Sequence, residues 1–222
     1  MTRAHHSRDK AARPWLSGRI FNPKQIYADN VDVDLVYIAC DGAPISKRGT
    51  LPAHSDCIII AVDGACRHNG TSEAQAAIGV YFGKQSLNNR SVRLNIDNPT
   101  NQIAELTAGF YALRRAMLLA KRGLLTEDDE GKQLSMVVIK SDSEYLVKGM
   151  TQWTLKWKKN GFRNAKGAPV VNAELFQKLE QAYQELIGLG IYTFFFGMFP
   201  GNGIGKRISW RTTLLEKRAA MI

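Results

Sequence analysis

The apolar positions of this chain form short continuous runs and longer helical repeats, which predict alternating strands and helices from residue 56 onward. A helix is predicted over residues 100–122, where apolar side chains recur at helical spacing before Gly123. Short helical segments are predicted through residue 159, and an amphipathic helix over 172–189. The predicted strands cover residues 57–63, 76–83, 90–96, 134–140 and 191–196. This order is typical of an α/β fold with a five-stranded mixed sheet flanked by helices.

Residues 1–55 differ in composition from the rest of the chain. They contain four prolines, scattered charges and one plausible strand, over residues 33–39. The opening eight residues are basic and weakly resemble a mitochondrial presequence, but they lack an amphipathic stretch. We therefore expect a poorly structured N-terminal extension over residues 1–55, followed by a folded domain over residues 56–196.

Charge and cysteine content narrow the expected partners and compartment. The chain has 30 basic and 20 acidic residues, a net charge of +10 that favours a polyanionic partner. No apolar run reaches the ~18 residues that a membrane span requires, so no membrane partner is expected. The three cysteines include no CxxC pair, which argues against a disulfide framework or a zinc ribbon and favours a reducing, intracellular compartment. Nothing in the pattern calls for an obligate protein partner.

Three acidic residues occupy positions from which they could meet. Asp63 ends one predicted strand, Asp142 follows another, and Glu105 lies near the start of the helix between them. If the strands are neighbours, both aspartates emerge at the same edge of the sheet, where the helix can bring Glu105. Converging carboxylates raise one another's pKa unless a divalent cation neutralises them, and oxygen ligands favour Mg²⁺ or Mn²⁺ over Zn²⁺. Each acid also has a simpler interpretation: a helix cap for Asp142, a helix-dipole contact for Glu105, and a turn at Asp63 and Gly64.

Four sequence blocks resemble those of cellular (type 1) ribonuclease H. They read VDGACRHNG with AIGVYFG, TNQIAEL, KSDSEY and QWTLKWKKNGF, and the resemblance covers about residues 57–196. It implies a ribonuclease H-like fold and hydrolysis of the RNA strand of RNA–DNA hybrids. It also implies that Asp63, Glu105 and Asp142 hold two Mg²⁺ ions, with Mn²⁺ as an alternative, ~3.5–4 Å apart at the scissile phosphate.

The same resemblance implies a set of residues that bind the hybrid. Those matching positions that read 2′-hydroxyls and base edges of the RNA strand are Asn69, Asn101 and Gln102. Those matching positions that contact the DNA strand are Thr100, Asn172 and Trp153. For Trp157 and Phe162 we favour a role in the core. Residues 140–166 carry seven basic side chains against two acidic ones, as expected of a surface that follows a phosphate backbone.

The resemblance ends after the last predicted strand. Members of the family continue with an Ala-Asp pair that opens a final helix and supplies a fourth carboxylate, whereas here no acid lies between Glu185 and Glu216. Glycines at 197, 201, 203 and 205 also disfavour an ordered helix start. An alternate reading frame of this region can encode Trp-His-Val-Pro and a later Ala-Asp. We therefore interpret residues 197–222 as an aberrant tail, produced by a shifted frame, in place of the final loop and helix.

Three functions stay open at this stage. The leading one is a ribonuclease H enzyme. The alternative is a catalytically weakened hybrid-binding protein that lacks the fourth carboxylate, and a retroelement-derived ribonuclease H domain ranks third because nothing flanking the domain suggests a polymerase. The expected compartment is the nucleus or the cytoplasm, with the mitochondrion as a further alternative.

Overall fold

The computed structural model describes residues 35–39, 53–122 and 133–197. Six strands lie in these ranges: β1 (Val36–Ala39), β2 (Ala53–Arg67), β3 (Gln75–Tyr81), β4 (Arg90–Arg93), β5 (Met136–Ser141) and β6 (Tyr192–Gly197). The α-helices of the same ranges are α1 (Asn101–Arg122), α2 (Glu144–Lys148), α3 (Thr154–Trp157) and α4 (Ala173–Gly188), and a π-helical turn at Gly149–Trp153 joins α2 to α3. None of these helices combines the length and apolar character needed to cross a membrane.

The strands form one mixed sheet in the order β4-β3-β2-β5-β6. β3 is antiparallel to β2 and to β4, whereas β5 is parallel to β2 and to β6. The predicted α/β architecture with a mixed sheet is therefore confirmed. Because β2 and β5 are parallel neighbours, the residues that follow their paired segments emerge at the same edge of the sheet.

β1 adds a sixth strand to the five that the sequence predicts. It pairs antiparallel with β2, with Val36 opposite Ile59, on the side of β2 away from β5. The Val36 backbone nitrogen donates a hydrogen bond of 2.7 Å to the Phe82 carbonyl just beyond β3, so β1 continues the line of β3 along β2. The strand predicted over residues 33–39 is thus present at Val36–Ala39, within the segment assigned to the extension. Residues 1–34 and 40–52 lie outside the described residues.

Two hydrophobic clusters lie on opposite faces of the sheet, because successive side chains of a strand alternate in direction. The larger cluster joins Ile58 and Ile60 of β2 to α1, α4 and the α2–α3 segment. The smaller one consists of Ile38, Cys57, Ile59, Met136, Val138 and Phe194, with Val36 packed against it. The core role predicted for Trp157 and Phe162 is confirmed: both pack against the larger cluster, and the Trp157 ring lies edge-on to Phe176 at 5.1 Å between centroids.

Candidate active site

Asp63 lies inside β2, where a close helix contact limits the space around it. Its side chain is buried, and its backbone pairs with Gly79 of β3. The next residue, Gly64, is also within the strand, so the turn considered for this pair does not exist. A Cβ at Gly64 would lie 2.2 Å from the Glu105 backbone nitrogen and 2.3 Å from the Ala104 carbonyl carbon. The missing side chain therefore lets α1 pack directly on β2 beside Asp63.

Asp142 emerges at the same level of the sheet as Asp63. The last residues paired between β2 and β5 are Ala61 and Lys140, and each aspartate lies two residues farther along its own strand direction. Asp142 directly follows the last residue of β5, and its side chain is exposed. Its capping interpretation is wrong: the N-cap of α2 is Ser143, whose hydroxyl oxygen accepts a hydrogen bond from the Leu146 backbone nitrogen.

The pKa of Glu105, in the second turn of α1, responds to the charges of both aspartates. The three carboxylates are therefore close enough to influence one another. Burial is the main cause that raises the pKa of Glu105 above its usual value. The hydrogen bond from Ser143 lowers the pKa, whereas the negative charges of Asp142 and then Asp63 raise it further. The structure therefore brings the three predicted acids into one electrostatic neighbourhood.

The three carboxylates are suitable ligands for a hard divalent cation, but they do not form a preformed metal-binding cluster. Within residues 35–39, 53–122 and 133–197, no three His, Cys, Asp or Glu side chains form a ready metal cluster. Instead, the two oxygens of Glu105 accept hydrogen bonds of 2.6 Å from Asn101 Nδ2 and 2.5 Å from Ser143 Oγ. The donor set is still chemically appropriate for Mg²⁺ or Mn²⁺, because all three groups are anionic oxygen ligands whose mutual repulsion a cation would relieve.

Asn69 and Asn101 link the β2–β3 turn to the start of α1. The Asn101 backbone nitrogen donates to Asn69 Oδ1 at 3.2 Å. The Asn101 side chain uses both of its ends within the protein, since Oδ1 accepts from the Cys66 backbone nitrogen at 3.3 Å and Nδ2 donates to Glu105. Sequence reasoning expected Asn101 to face a substrate and missed that it also supports a carboxylate.

Thr100 and Gln102 flank Asn101 and have different surroundings. The Thr100 hydroxyl oxygen accepts a hydrogen bond of 3.2 Å from the Ile103 backbone nitrogen, which satisfies one of the free N–H groups of the helix start. Gln102 has an exposed side chain. Of the two neighbours of Asn101, Gln102 is therefore the one whose side chain faces solvent.

A second group of the predicted residues lies around Tyr145, the second residue of α2. Trp153 is 5.7 Å from the Tyr145 ring between centroids. The Tyr145 hydroxyl donates to the Val171 carbonyl at 3.1 Å and accepts from Asn172 Nδ2 at 3.3 Å. Asn172 itself has a left-handed backbone, with φ of 58°. Tyr145 thus connects Trp153 to Asn172, a link that sequence reasoning missed, although the KSDSEY block places Tyr145 three residues after Asp142.

The basic stretch at 140–166 is only partly available to a ligand. Lys148 pairs with Glu144 at 3.0 Å, and Lys158 pairs with the buried Glu180 at 2.7 Å. Arg163 Nη1 donates to the Gly167 carbonyl at 2.6 Å. Basic side chains that are exposed in this stretch, with no ion pair among those described for it, include Lys156, Lys159 and Lys166. Of the tail interpreted as aberrant, residues 198–222 lie outside the described residues.

Several known proteins are similar to this chain. A family model described as RNase H matches residues 55–187. Ribonuclease H1 of Mus musculus is 32% identical over 142 residues, which make up 64% of this chain and 45% of the mouse protein. Ribonuclease H of Schizosaccharomyces pombe is 36% identical over 126 residues, 57% of this chain and 41% of that protein. The solution structure of the PFV RNase H domain has a TM-score of 0.48 at 21% identity and covers 73% of this chain and 92% of that domain. The matched region spans less than half the length of either cellular relative.

Proposed function

Because this chain belongs to the RNase H family and is similar to its type 1 members, we propose that it is a metal-dependent endoribonuclease that hydrolyses the RNA strand of RNA–DNA hybrids. One observation carries the proposal: Glu105 lies close enough to both Asp63 and Asp142 for their charges to raise its pKa, just beyond the last residues paired between the parallel strands β2 and β5. Neighbouring carboxylates repel one another, and a bound cation would relieve that repulsion. A cluster of this kind is therefore a candidate cation site.

We assign the binding of two Mg²⁺ ions, or Mn²⁺ ions, to Asp63, Glu105 and Asp142. When bound, such ions supply activation of a water molecule and stabilisation of the departing oxygen. The protein's own contribution is to hold the three carboxylates together despite their repulsion. Gly64 allows the close helix contact that places Glu105, while Asn101 and Ser143 each donate a hydrogen bond to one of its oxygens.

We assign the hybrid to the surface on both sides of this centre. Asn69, in the β2–β3 turn, and Asn101 and Gln102, in α1, are proposed to contact the RNA strand, and Thr100, just before α1, is proposed to contact the DNA backbone. The Asn101 side chain keeps one Nδ2 hydrogen and one Oδ1 lone pair for this contact, because each atom makes a single hydrogen bond within the protein. Trp153 and Asn172, joined through Tyr145, are proposed to bind the DNA strand, and the exposed lysines at 156, 159 and 166 are proposed to follow its phosphates.

The domain limits and compartment belong to the same proposal. We infer that residues 56–196, extended by β1 and the start of β2, form the catalytic domain, that the remainder of residues 1–55 is an extension, and that residues 197–222 are an aberrant tail. An intracellular site of action, in the nucleus, cytoplasm or mitochondrion, is inferred from the proposed substrate and from the cysteine content.

A catalytically weakened hybrid-binding protein is the second candidate. The observation that favours it is the absence of any acidic residue between Glu185 and Glu216, where the family's fourth carboxylate is expected. With three carboxylates the ions would be held by fewer ligands, so turnover would fall while the hybrid-binding residues remain.

Cleavage of a labelled RNA strand in a hybrid, with Mg²⁺ titrated, tests the proposal. We expect wild type to cut the RNA, and Asp63→Asn to cut it at least ~100-fold more slowly, since losing a metal ligand removes several kcal/mol of transition-state stabilisation. Binding of the hybrid in a chelator should be retained or tightened, because one negative charge facing the polyanion is removed. Glu185→Gln, which removes an exposed acid that pairs with Arg114, is the matched control and should cut normally.

The outcome separates the two candidates. If wild type binds the hybrid in chelator but cleaves no faster than Asp63→Asn at any Mg²⁺ concentration, the enzyme proposal fails and the binding protein is favoured. If wild type neither binds nor cuts the hybrid, both candidates fail.

A further inference from the structure

Ser143 directly follows Asp142, one of the proposed metal ligands. Both its backbone nitrogen and its hydroxyl group make hydrogen bonds within the protein. Its side chain is buried, and its backbone nitrogen donates to the Ser141 hydroxyl oxygen at 3.1 Å. Its own hydroxyl lies between two partners: the Leu146 backbone nitrogen at 3.1 Å and Glu105 Oε2 at 2.5 Å. Ser143 is therefore fixed by contacts on three sides.

The direction of the Ser143 hydrogen bonds follows from counting hydrogens. A backbone N–H can only donate, so the Ser143 oxygen must accept from Leu146. The single hydroxyl hydrogen is then available for Glu105, which as a carboxylate can only accept. A hydrogen bond to an ionised acceptor is stronger than one between neutral groups, so the Ser143 hydroxyl favours the carboxylate form of Glu105.

Hydrogen bonds consequently connect Glu105 to two neighbouring strands, β5 and β2. Ser143 reaches it from the end of β5, while Asn101 reaches its other oxygen and is itself tied to Cys66 of β2. The Ser143 contact also fixes the position of Glu105 relative to Asp142, because Asp142 and Ser143 are adjacent in the chain. A carboxylate with both oxygens fixed in this way loses little freedom when it binds an ion.

We propose that Ser143 is a positioning residue that sets the divalent-ion affinity of the site by orienting Glu105 and linking it to Asp142. This inference rests on the proposed function, since it assigns the ion to the same carboxylates. Groups that orient a metal-binding side chain typically contribute 10–100-fold to metal affinity or activity. The simpler alternative is that Ser143 matters only as the N-cap of α2.

The test measures binding of Mn²⁺ alone, in the absence of hybrid, from the electron paramagnetic resonance signal of the free ion. Three variants separate the roles of Ser143. Ser143→Ala removes the hydroxyl and weakens the cap, Ser143→Gly removes the hydroxyl but is better tolerated than alanine at an N-cap, and Ser143→Thr keeps the hydroxyl. Ser86→Ala is the matched control, because Ser86 is also buried and its hydroxyl oxygen also accepts a backbone hydrogen bond, from Asn88.

We expect the alanine and glycine variants to bind Mn²⁺ roughly 10–100-fold more weakly than wild type, and the threonine variant to recover most of the affinity. Hybrid binding in chelator should be the same for all of them. Wild-type Mn²⁺ affinity in Ser143→Ala, or a loss seen with alanine but not with glycine, overturns the inference. A wild-type protein that binds no Mn²⁺ also overturns it. If wild type binds Mn²⁺ more tightly than the Ser143 variants yet cuts no hybrid, the inference stands and only the proposed reaction fails.

Discussion

Replacing Gly64 with alanine would place a methyl carbon 2.2 Å from the Glu105 backbone nitrogen and 2.6 Å from its Cα. These neighbours are backbone atoms of α1, so no side-chain rotation can relieve the clash. Reaching an ordinary contact of 3.4 Å requires a shift of 1.2 Å (3.4 minus 2.2) between β2 and α1. Glu105 would then move away from Asp63 by a comparable amount. The same small change is therefore expected to affect both packing and chemistry.

The two effects have different magnitudes and separate assays. Forcing an extra carbon into a filled contact typically costs about 1–3 kcal/mol, which urea unfolding would measure and which lowers the melting temperature by roughly 2–4 °C per kcal/mol. A displacement of about 1 Å at reacting groups can cost ~100-fold in rate. We therefore expect Gly64→Ala to remain folded at 25 °C but to cleave hybrids ~100-fold more slowly at saturating Mg²⁺.

Gly79→Ala provides the control for this prediction. Gly79 pairs with Asp63 from the adjacent strand β3, yet a Cβ there meets nothing within 4 Å. Its substitution should leave stability unchanged or raise it by about 0.5–1 kcal/mol, because glycine inside a strand is unfavourable relative to alanine. The reasoning is refuted if Gly64→Ala matches Gly79→Ala in both unfolding and cleavage, since the close approach of α1 would then have no consequence.

The remaining predictions concern charge. The pKa of Glu105 is raised in the folded state, so its contribution to stability is complete below the ordinary carboxyl pKa and is lost as the pH rises through the folded value. Glu105→Gln should therefore raise the unfolding midpoint in chelator at pH 7, and this gain should disappear near pH 4; an equal gain at both pH values would contradict the assignment. Substituting both Lys156 and Lys159 with alanine should reduce the salt dependence of hybrid binding by a slope of ~1.8, whereas Lys148→Ala, which removes a lysine paired with Glu144, should barely change it. Identical slopes for all three proteins would exclude a phosphate-following role for the exposed lysines.

The placement of the acids could be predicted from the sequence because it depends on strand order alone. Asp63 and Asp142 each come at the end of an apolar run, and two parallel neighbouring strands must present such residues at one edge. Glu105 needed only a helix that packs over that edge. The resemblance to the family implied metal binding by the same three residues. That implication did not depend on the distances between them.

The supporting contacts could not be predicted in the same way, because they depend on spacing between elements that are far apart in sequence. The sequence assigns no role to Ser143, since its partner Glu105 is 38 residues away and only the fold brings the two together. For Asn101 the sequence indicates only a substrate contact. Its hydrogen bonds to Cys66 and Glu105 depend on how α1 packs on β2, which the sequence pattern does not specify. Gly64 looked like part of a turn, because the close contact that explains it comes from the backbone of another element.

The position of β1 has a consequence for any attempt to isolate the folded domain. β1 pairs with β2 at residues 53, 54, 58 and 59, on the side that β3 covers only farther along the strand. A protein shortened to begin at residue 56 would leave that length of β2 as an open edge next to Ile59 and the apolar face it belongs to. Unprotected edges of this kind recruit strands from other molecules. The shortened protein is therefore expected to self-associate.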